Sequence, residues 1–457
     1  VGRPWRVRLA LGAGFGLGNY VIGLLWVQEF SVPGYIGVVL ISSIYSVVAL
    51  LAVPTGRRRL VAIGFPAAMV LSDWARDRFP VGGLPLGGVA LGQAAGPLAP
   101  VLRLGGSLAL VGLTALLGVT LAEVMRTGWN WWRAAERSPK VLGQAAGLVA
   151  VTVLLPVLGT FSPSGAGGHL PALRVGLVQG GGPRGTRAIA TDPQVVFDRH
   201  EAASTQLAGP LDLIVWPEGV LQSHTDYTKT ANAAFLQQLA TNFGATVVSG
   251  VEQDVGTSHY LNQVVAWDPS GIEGVYVKNH LVPFGEYVPY RSFFQRYFNL
   301  ADVPYDGIPG HGPGILRTPA APLAVMISYE VFFDERARGG VRAGGQILVV
   351  PTNTASYRST QVPTQEVAAD KLRAWETGRW LVQVTPTGYS TVVSPTGAVL
   401  RKTRLGAQQV IEATVPRRTG MTVYDHLGDG PVALAAMVMW ALSAGLGLAR
   451  ARRRPPA

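Results

Sequence analysis

Cysteine is absent from the 457 residues, so the chain can form no disulfide and offers no thiolate to a substrate or a metal. Charge is scarce as well. Asp, Glu, Lys and Arg make up 14% of the chain, where a soluble domain carries about 25%. That deficit argues for membrane spans over one large soluble core. The seven histidines are scattered and none has metal-ligand spacing such as HExxH, so no metal is expected. No internal repeat is present, and no long low-complexity tract precedes the tail 450–457. The chain opens on Val1 instead of Met, which leads us to expect further residues before it.

What the chain has in quantity is apolar runs. Leu9 to Gln28, Tyr35 to Val53, Leu60 to Phe79, Leu104 to Met125, Val141 to Phe161 and Val432 to Leu448 all qualify. Runs of roughly 17–25 residues match a hydrocarbon core of about 30 Å, so six spans are expected. The third carries Asp73, Arg76 and Asp77, and the Gly/Pro-rich stretch 81–100 reads as a re-entrant or interfacial loop.

Net charge is +11, which alone suits nucleic acid, but its distribution says otherwise. Arg3, Arg6 and Arg8 precede the first run, and Arg57, Arg58 and Arg59 separate the second and third. Arg126, Arg133, Arg137 and Lys140 separate the fourth and fifth, and Arg450, Arg452, Arg453 and Arg454 follow the sixth. If six spans alternate, all these cations lie on one side, and the linkers 30–34 and 80–102 opposite contain none. The positive-inside rule makes the basic side cytoplasmic, and nucleic-acid binding loses its support. Segment 170–430 would then face outward.

The expected organisation is a transmembrane region over residues 1–161, a Ser/Gly/Pro linker 162–169, and a domain 170–430. A final span over 431–449 and a basic tail 450–457 complete it. The domain alternates short apolar strands (Leu173 to Gln179, Leu211 to Trp216, Ala245 to Gly250, Leu261 to Trp267, Val275 to Lys278, Leu323 to Ile327, Gln346 to Pro351, Leu381 to Thr385, Ser390 to Val393) with helical patterns at Ala231–Phe243 and Thr364–Gly378. That mixture predicts an α/β sandwich.

Three strand ends could converge on one sheet edge, where such folds present their chemistry. Glu218 ends Val215-Trp216-Pro217-Glu218, and a desolvated carboxylate there would be a general base. Its plainer reading is a polar strand end or helix cap. Lys278 ends another strand; a fixed ammonium there would stabilise an oxyanion, and its plainer reading is a snorkelling surface lysine. Ser328 follows Leu323-Ala324-Val325-Met326-Ile327 and is either a nucleophile or a small hydroxyl at a strand end. It lacks the GxSxG setting of a serine hydrolase. After Lys278 comes a stiff run, His280-Leu281-Val282-Pro283-Phe284-Gly285-Glu286-Tyr287-Val288-Pro289.

Trp216-Pro217-Glu218, the run Lys278 to Pro289 and Ser328-Tyr329-Glu330 resemble the motifs of the apolipoprotein N-acyltransferases, membrane-embedded members of the nitrilase superfamily. The resemblance extends over nearly the whole chain, including Gly14-Phe15-Gly16-Leu17-Gly18 and the C-terminal span. It implies a multi-span α-helical membrane bundle carrying an αββα nitrilase-like sandwich. It also implies a Glu-Lys-Cys triad, with Glu218 as base, Lys278 as oxyanion stabiliser and Ser328 in the place of the cysteine. Glu286 matches a further essential carboxylate, and Tyr329 and Glu330 match the residues that follow the nucleophile. The implied reaction moves an acyl chain from a phospholipid, phosphatidylethanolamine in the first instance, to the α-amino group of a diacylglyceryl-cysteine apolipoprotein. It runs by ping-pong through a covalent acyl-enzyme, without cofactor or metal. The implied location is the bacterial plasma (inner) membrane, with the catalytic domain extracytoplasmic and the lipid bilayer as a partner.

The chain departs from the family pattern in three ways. Six runs are found where eight spans are usual, and the other two would precede Val1. The family's Asn-Asp-x-Trp-Phe-Gly is Asn353-Thr354-Ala355-Ser356-Tyr357 here, losing most of its aromatic pair. The nucleophile position holds serine. A thiol near pKa ~8.5 ionises beside a base where a hydroxyl does not. The chain is therefore expected to be an inactivated Cys→Ser form, engineered or native. Two other functions stay open: a non-catalytic membrane scaffold or homologue, and a membrane-anchored nitrilase-type amidase. Between lysine and nucleophile, Ser292-Phe293-Phe294-Gln295-Arg296-Tyr297-Phe298 is either a buried amphipathic helix or an arm at the membrane interface. In the second reading Phe293, Phe294 and Phe298 gate lipid entry.

Overall fold

A computed structural model describes residues 4–54, 58–133, 139–185, 188, 190–297, 300 and 303–452. They form two compact units, Val1–Ser162 with His426–Ala457, and Pro163–Asp425.

The first unit is helical. Each of the six apolar runs is a helix: Trp5–Gly23, Val32–Ala52, Arg58–Arg76, Leu102–Trp132, Pro139–Phe161 and Gly430–Arg452. Among the described residues four helices are long and apolar enough to cross a membrane: Val32–Ala52, Ala99–Trp132, Pro139–Phe161 and Gly430–Gly447. The expected number was six. Trp5–Gly23 falls short because it takes in Arg6 and Arg8 and then yields to a 3-10 turn at Leu25–Glu29. Arg58–Arg76 falls short because its two ends are charged. Apolar side chains still cover the outside of the unit; Ile22 is 70% exposed and Met125 74%. Surfaces of that kind belong in lipid.

Trp5–Gly23 packs on Val32–Ala52 through small residues. A Cβ at Gly12 would lie 2.7 Å from the Val47 Cα, and one at Gly16 2.8 Å from the Ser43 Cα. This is the close backbone approach that small-xxx-small spacing permits in membranes.

The second unit is an αββα sandwich. One sheet runs Gln409–Val415, Leu173–Gln179, Leu213–Val215, Thr246–Val255, His259–Asp268, Gly271–Val277. Its Leu173, Leu213 and Thr246 strands are parallel (Val175 opposite Leu213, Leu213 opposite Thr246), and its edges are antiparallel. The other sheet runs Val399–Lys402, Thr391–Val393, Leu381–Val384, Ile347–Pro351, Pro322–Val325, Ile315–Arg317. Pro322–Val325, Ile347–Pro351 and Leu381–Val384 form its parallel centre. Parallel strands covered on both faces read as unbroken apolar runs, which is what Ile347-Leu348-Val349-Val350 supplies. Val175, Leu213, Val215 and Val248 of one sheet share a core with Leu323, Val325, Val349 and Val382 of the other. Val178, Ile214, Trp216 and Val247 point outward onto Phe197 and Leu236 of the helices Pro193–Ser204 and Ala231–Phe243. Asp334–Arg342 and Gln361–Thr377 cover the second sheet.

Candidate active site

Glu218, Lys278 and Ser328 all leave the sandwich where a strand ends, each a short way past the last paired residue. Glu218 lies in the turn after Leu213–Val215, Lys278 directly after Gly271–Val277, and Ser328 beyond Pro322–Val325. Gly250 makes room for the first: a Cβ there would lie 2.4 Å from the Glu218 Cα.

Lys278 and Glu218 meet in the interior, 1% and 5% exposed. The Lys278 Nζ donates at 2.8 Å to Glu218 Oε1 and at 2.8 Å to Glu286 Oε1. Asn262 Nδ2, from the neighbouring strand His259–Asp268, donates at 2.8 Å to the same two oxygens. Two carboxylate oxygens and two nitrogens thus close a ring, and Glu286 Oε2 is held by the Val282 N–H at 2.7 Å. Burial works against the Lys278 ammonium, but Glu218 and Glu286 outweigh it and hold the lysine charged, above its ordinary range. Burial raises the Glu218 carboxyl; Lys278 opposes this and the charge of Glu286 adds to it. One cation shared by two carboxylates leaves a proton-accepting site at Glu218. Glu252, on Thr246–Val255, is a third carboxyl beside them, pushed up to about 7 by burial and by Glu218 and Glu286.

Glu330 ties the lysine loop to the serine turn. It is fully buried. Its Oε1 accepts from the backbone N–H of Asn279 at 2.8 Å and of His280 at 3.1 Å, and its Oε2 from that of Ile327 at 2.8 Å. The Tyr276 hydroxyl donates to it at 2.8 Å and itself accepts from Arg336 Nη2 at 2.6 Å. Tyr329 is buried against Phe332 and Phe333.

Ser328 opens a 3-10 turn, Ser328–Phe332, with φ +50°. That left-handed conformation costs a non-glycine residue about 1–2 kcal/mol and recurs where a side chain must be presented at a sharp strand-to-helix turn. Its Oγ lies 3.2 Å from Thr352 Oγ1, which in turn lies 2.6 Å from Glu366 Oε1. Burial pushes the Glu366 carboxyl up to about 8.

The aromatic segment is neither a buried helix nor a long one. Arg291–Phe294 is a single turn, anchored by Arg291 to Asp306 at 2.6 and 2.9 Å. Phe294 packs edge-on against Phe284 and Phe293, while Phe293 is 55% exposed and Phe284 51%. Phe298 lies outside the described residues.

Asn262, Thr352 and Glu366 were not anticipated. Asn262 had a signal, an amide inside an apolar strand. Thr352 and Glu366 had none that patterning could use.

Residues 174–423 match the model of the carbon-nitrogen hydrolase family, and residues 1–120 that of the apolipoprotein N-acyltransferase N-terminal domain. Curated relatives include an apolipoprotein N-acyltransferase of Mycolicibacterium smegmatis, 30% identical over 372 residues, 76% of this chain and 61% of that one. Another, from Photobacterium profundum, is 26% identical over 471 residues, covering 97% and 87%. The match to the first thus spans less than two thirds of that relative's length. Solved structures include an amidase from Nesterenkonia sp. (21% identity, 55% of this chain and 92% of that one, TM-score 0.39). Saccharomyces cerevisiae Nit3 also matches (19% identity, 54% and 90%, TM-score 0.41). With a match over more than half its length, the chain belongs to the carbon-nitrogen hydrolase family, and ahead of that domain its residues 1–120 match the apolipoprotein N-acyltransferase N-terminal domain.

Proposed function

We propose that the chain transfers an acyl group from a phospholipid to the α-amino group of a diacylglyceryl-cysteine lipoprotein, with Ser328 as the acyl-accepting atom. The observation that carries this is the buried ring of Glu218, Lys278, Glu286 and Asn262. It pairs a proton acceptor with a fixed cation, the two things acyl transfer requires.

In the first half-reaction the Ser328 Oγ bonds to the ester carbonyl carbon and its proton passes to Glu218. Lys278 stabilises the oxyanion. The ester C–O bond then breaks, and the departing lysophospholipid oxygen takes the proton back. In the second half-reaction the lipoprotein amine attacks the acyl-serine, loses a proton to Glu218, and Ser328 Oγ leaves carrying that proton. Serine makes both halves slower than cysteine would, since its hydroxyl is far harder to ionise than a thiol near pKa ~8.5. The chain as it stands is on this reading an impaired form.

Phosphatidylethanolamine is the donor we put first, and the plasma membrane the location, with the sandwich on the extracytoplasmic face. The basic clusters at 3–8, 57–59, 126–140 and 450–454 support that orientation on the condition that all six long helices of the first unit cross the bilayer.

The test is to incubate the chain and its Ser328→Cys variant with acyl-labelled phosphatidylethanolamine and a diacylglyceryl-cysteine peptide. We expect N-acylated peptide from both, at a rate higher by two orders of magnitude or more (roughly, from the nucleophile's ionisation) in the variant. No label on the peptide with either protein defeats the proposal. Release of label as free fatty acid alone would make the chain a hydrolase.

A further inference from the structure

Thr352 follows the strand Ile347–Pro351 and is fully buried. Its hydroxyl has two oxygen neighbours, Ser328 Oγ at 3.2 Å and Glu366 Oε1 at 2.6 Å, and a single hydrogen to give. If Glu366 is ionised it takes that hydrogen, since a carboxylate only accepts. Thr352 can then meet Ser328 only as an acceptor, which turns the Ser328 proton toward Thr352 and away from any base. If Glu366 is a neutral acid, it donates to Thr352, and Thr352 donates to Ser328 Oγ.

The surroundings favour the neutral acid. Glu366 is 2% exposed, and among the described residues its Oε2 has no hydrogen-bond partner. An ionised carboxylate with one bare oxygen in the interior is a costly arrangement. Glu218 also raises the carboxyl, while Lys278 and the Thr352 hydrogen bond oppose. Asp370, one turn along Gln361–Thr377, and Tyr357 feel the charge of Glu366 in their turn. The turn Ser328–Phe332 brings Glu330, already committed to three backbone N–H groups. Asp334 and Glu335 of Asp334–Arg342 act on Arg373, two turns further along. Leu381–Val384 and Thr391–Val393, also packed on this helix, carry no ionisable side chain.

We infer that Glu366 is a positioning residue that sets, through Thr352, the direction of the Ser328 hydroxyl: as a neutral acid it turns Thr352 into a donor toward Ser328 Oγ and frees the Ser328 proton for the base. This rests on Ser328 as the acyl-accepting atom, not on the identity of donor or acceptor lipid. Its consequence is an alkaline limit. As pH rises through about 8 Glu366 gives up its proton, the chain of hydrogen bonds reverses, and Ser328 loses its orientation.

The test uses the full chain in detergent micelles and a fluorophosphonate probe, with labelling of Ser328 followed by intact mass from pH 6 to pH 10. In the labelling step the Ser328 Oγ–P bond forms, the P–F bond breaks, fluoride leaves and the serine proton goes to the base. The parent should label, with a rate that falls above about pH 8. Thr352→Val should label about tenfold slower, the rate equivalent of one hydrogen bond, and Thr352→Ser should restore the rate. Glu366→Gln, whose amide donates at every pH, should label well and lose the alkaline fall. Equal rates for the parent and Thr352→Val, an alkaline fall kept by Glu366→Gln, or a parent that does not label at Ser328 would each overturn the inference. Labelling needs neither phospholipid nor lipoprotein. Successful labelling with failed acyl transfer therefore removes the proposed function and leaves the positioning role standing.

Discussion

Lys278 Nζ stands 2.8 Å from Glu218 Oε1, with both side chains all but sealed from solvent. In such a setting neither group is independent. The lysine is charged because two carboxylates hold it so, against burial. Breaking a buried pair by removing one partner costs about 3–5 kcal/mol, because the other charge is left uncompensated. Lys278→Met should therefore do two things at once. It should lower the melting temperature of the sandwich, and it should cut acyl transfer by about 10²–10³-fold, the usual loss of one oxyanion stabiliser. Glu218→Gln keeps the amide close to Lys278 and should spare much of the stability while removing the base. A Lys278→Met protein that melts like the parent and turns over normally would show that the pair is neither structural nor catalytic.

The three strand ends were legible in the sequence because each apolar run stops abruptly at a polar residue, and the stiff loop after Lys278 placed Glu286 within reach. What the residues could not show was how the polar groups behind them face. On Gln361–Thr377, Glu366, Asp370, Arg373 and Glu376 recur at helical spacing, and such a stripe ordinarily faces water. Here all four are buried. Val362, Val367 and Leu372 are buried too, and the face that meets solvent is instead a narrow, largely uncharged stripe of Gln361, Thr364, Ala368, Lys371 and Trp375, so the charge pattern points the wrong way. The left-handed Ser328 is equally silent in sequence, since its φ of +50° is imposed by the turn that Glu330 braces and not by the residue type. Counting apolar runs found the six long helices described in the first unit and missed the short turn Val89–Gly92. It overstated how many are apolar enough to span by composition, because runs were read without the arginines at their ends.

Phe284, Phe293 and Phe294 form a small aromatic cluster whose outer members are more than half exposed. Exposed rings on a tethered turn suit the lipid interface, where they would help a phospholipid leave the bilayer. Replacing Phe284 and Phe293 together with serine should raise the KM for phospholipid in vesicles several-fold. It should leave turnover of a short, water-soluble ester unchanged. The water-soluble ester is the control that matters. If both substrates suffer equally, the rings support the fold of the loop and not the entry of lipid.

Glu330 accepts from the backbone on both sides of the site, at Asn279 and His280 after the lysine and at Ile327 before the serine. Charge-assisted bonds of this kind are each about twice as strong as neutral ones. Glutamine has nearly the same shape, but its NH2 group would turn a donor toward either the Ile327 N–H or the pair at Asn279 and His280. One side of the clamp must then open. Because the Glu218, Lys278 and Asn262 contacts do not pass through Glu330, Glu330→Gln should leave the base and the cation in place and displace Ser328 relative to them. The expected signature is a kcat lower by about 10–100-fold with KM for the phospholipid near its parent value, since small misplacements of a reacting atom are felt in the chemical step. Fluorophosphonate labelling of Ser328 should slow by a similar factor. A variant whose KM rises while kcat holds would place Glu330 in substrate binding and remove it from the alignment of the lysine and serine turns.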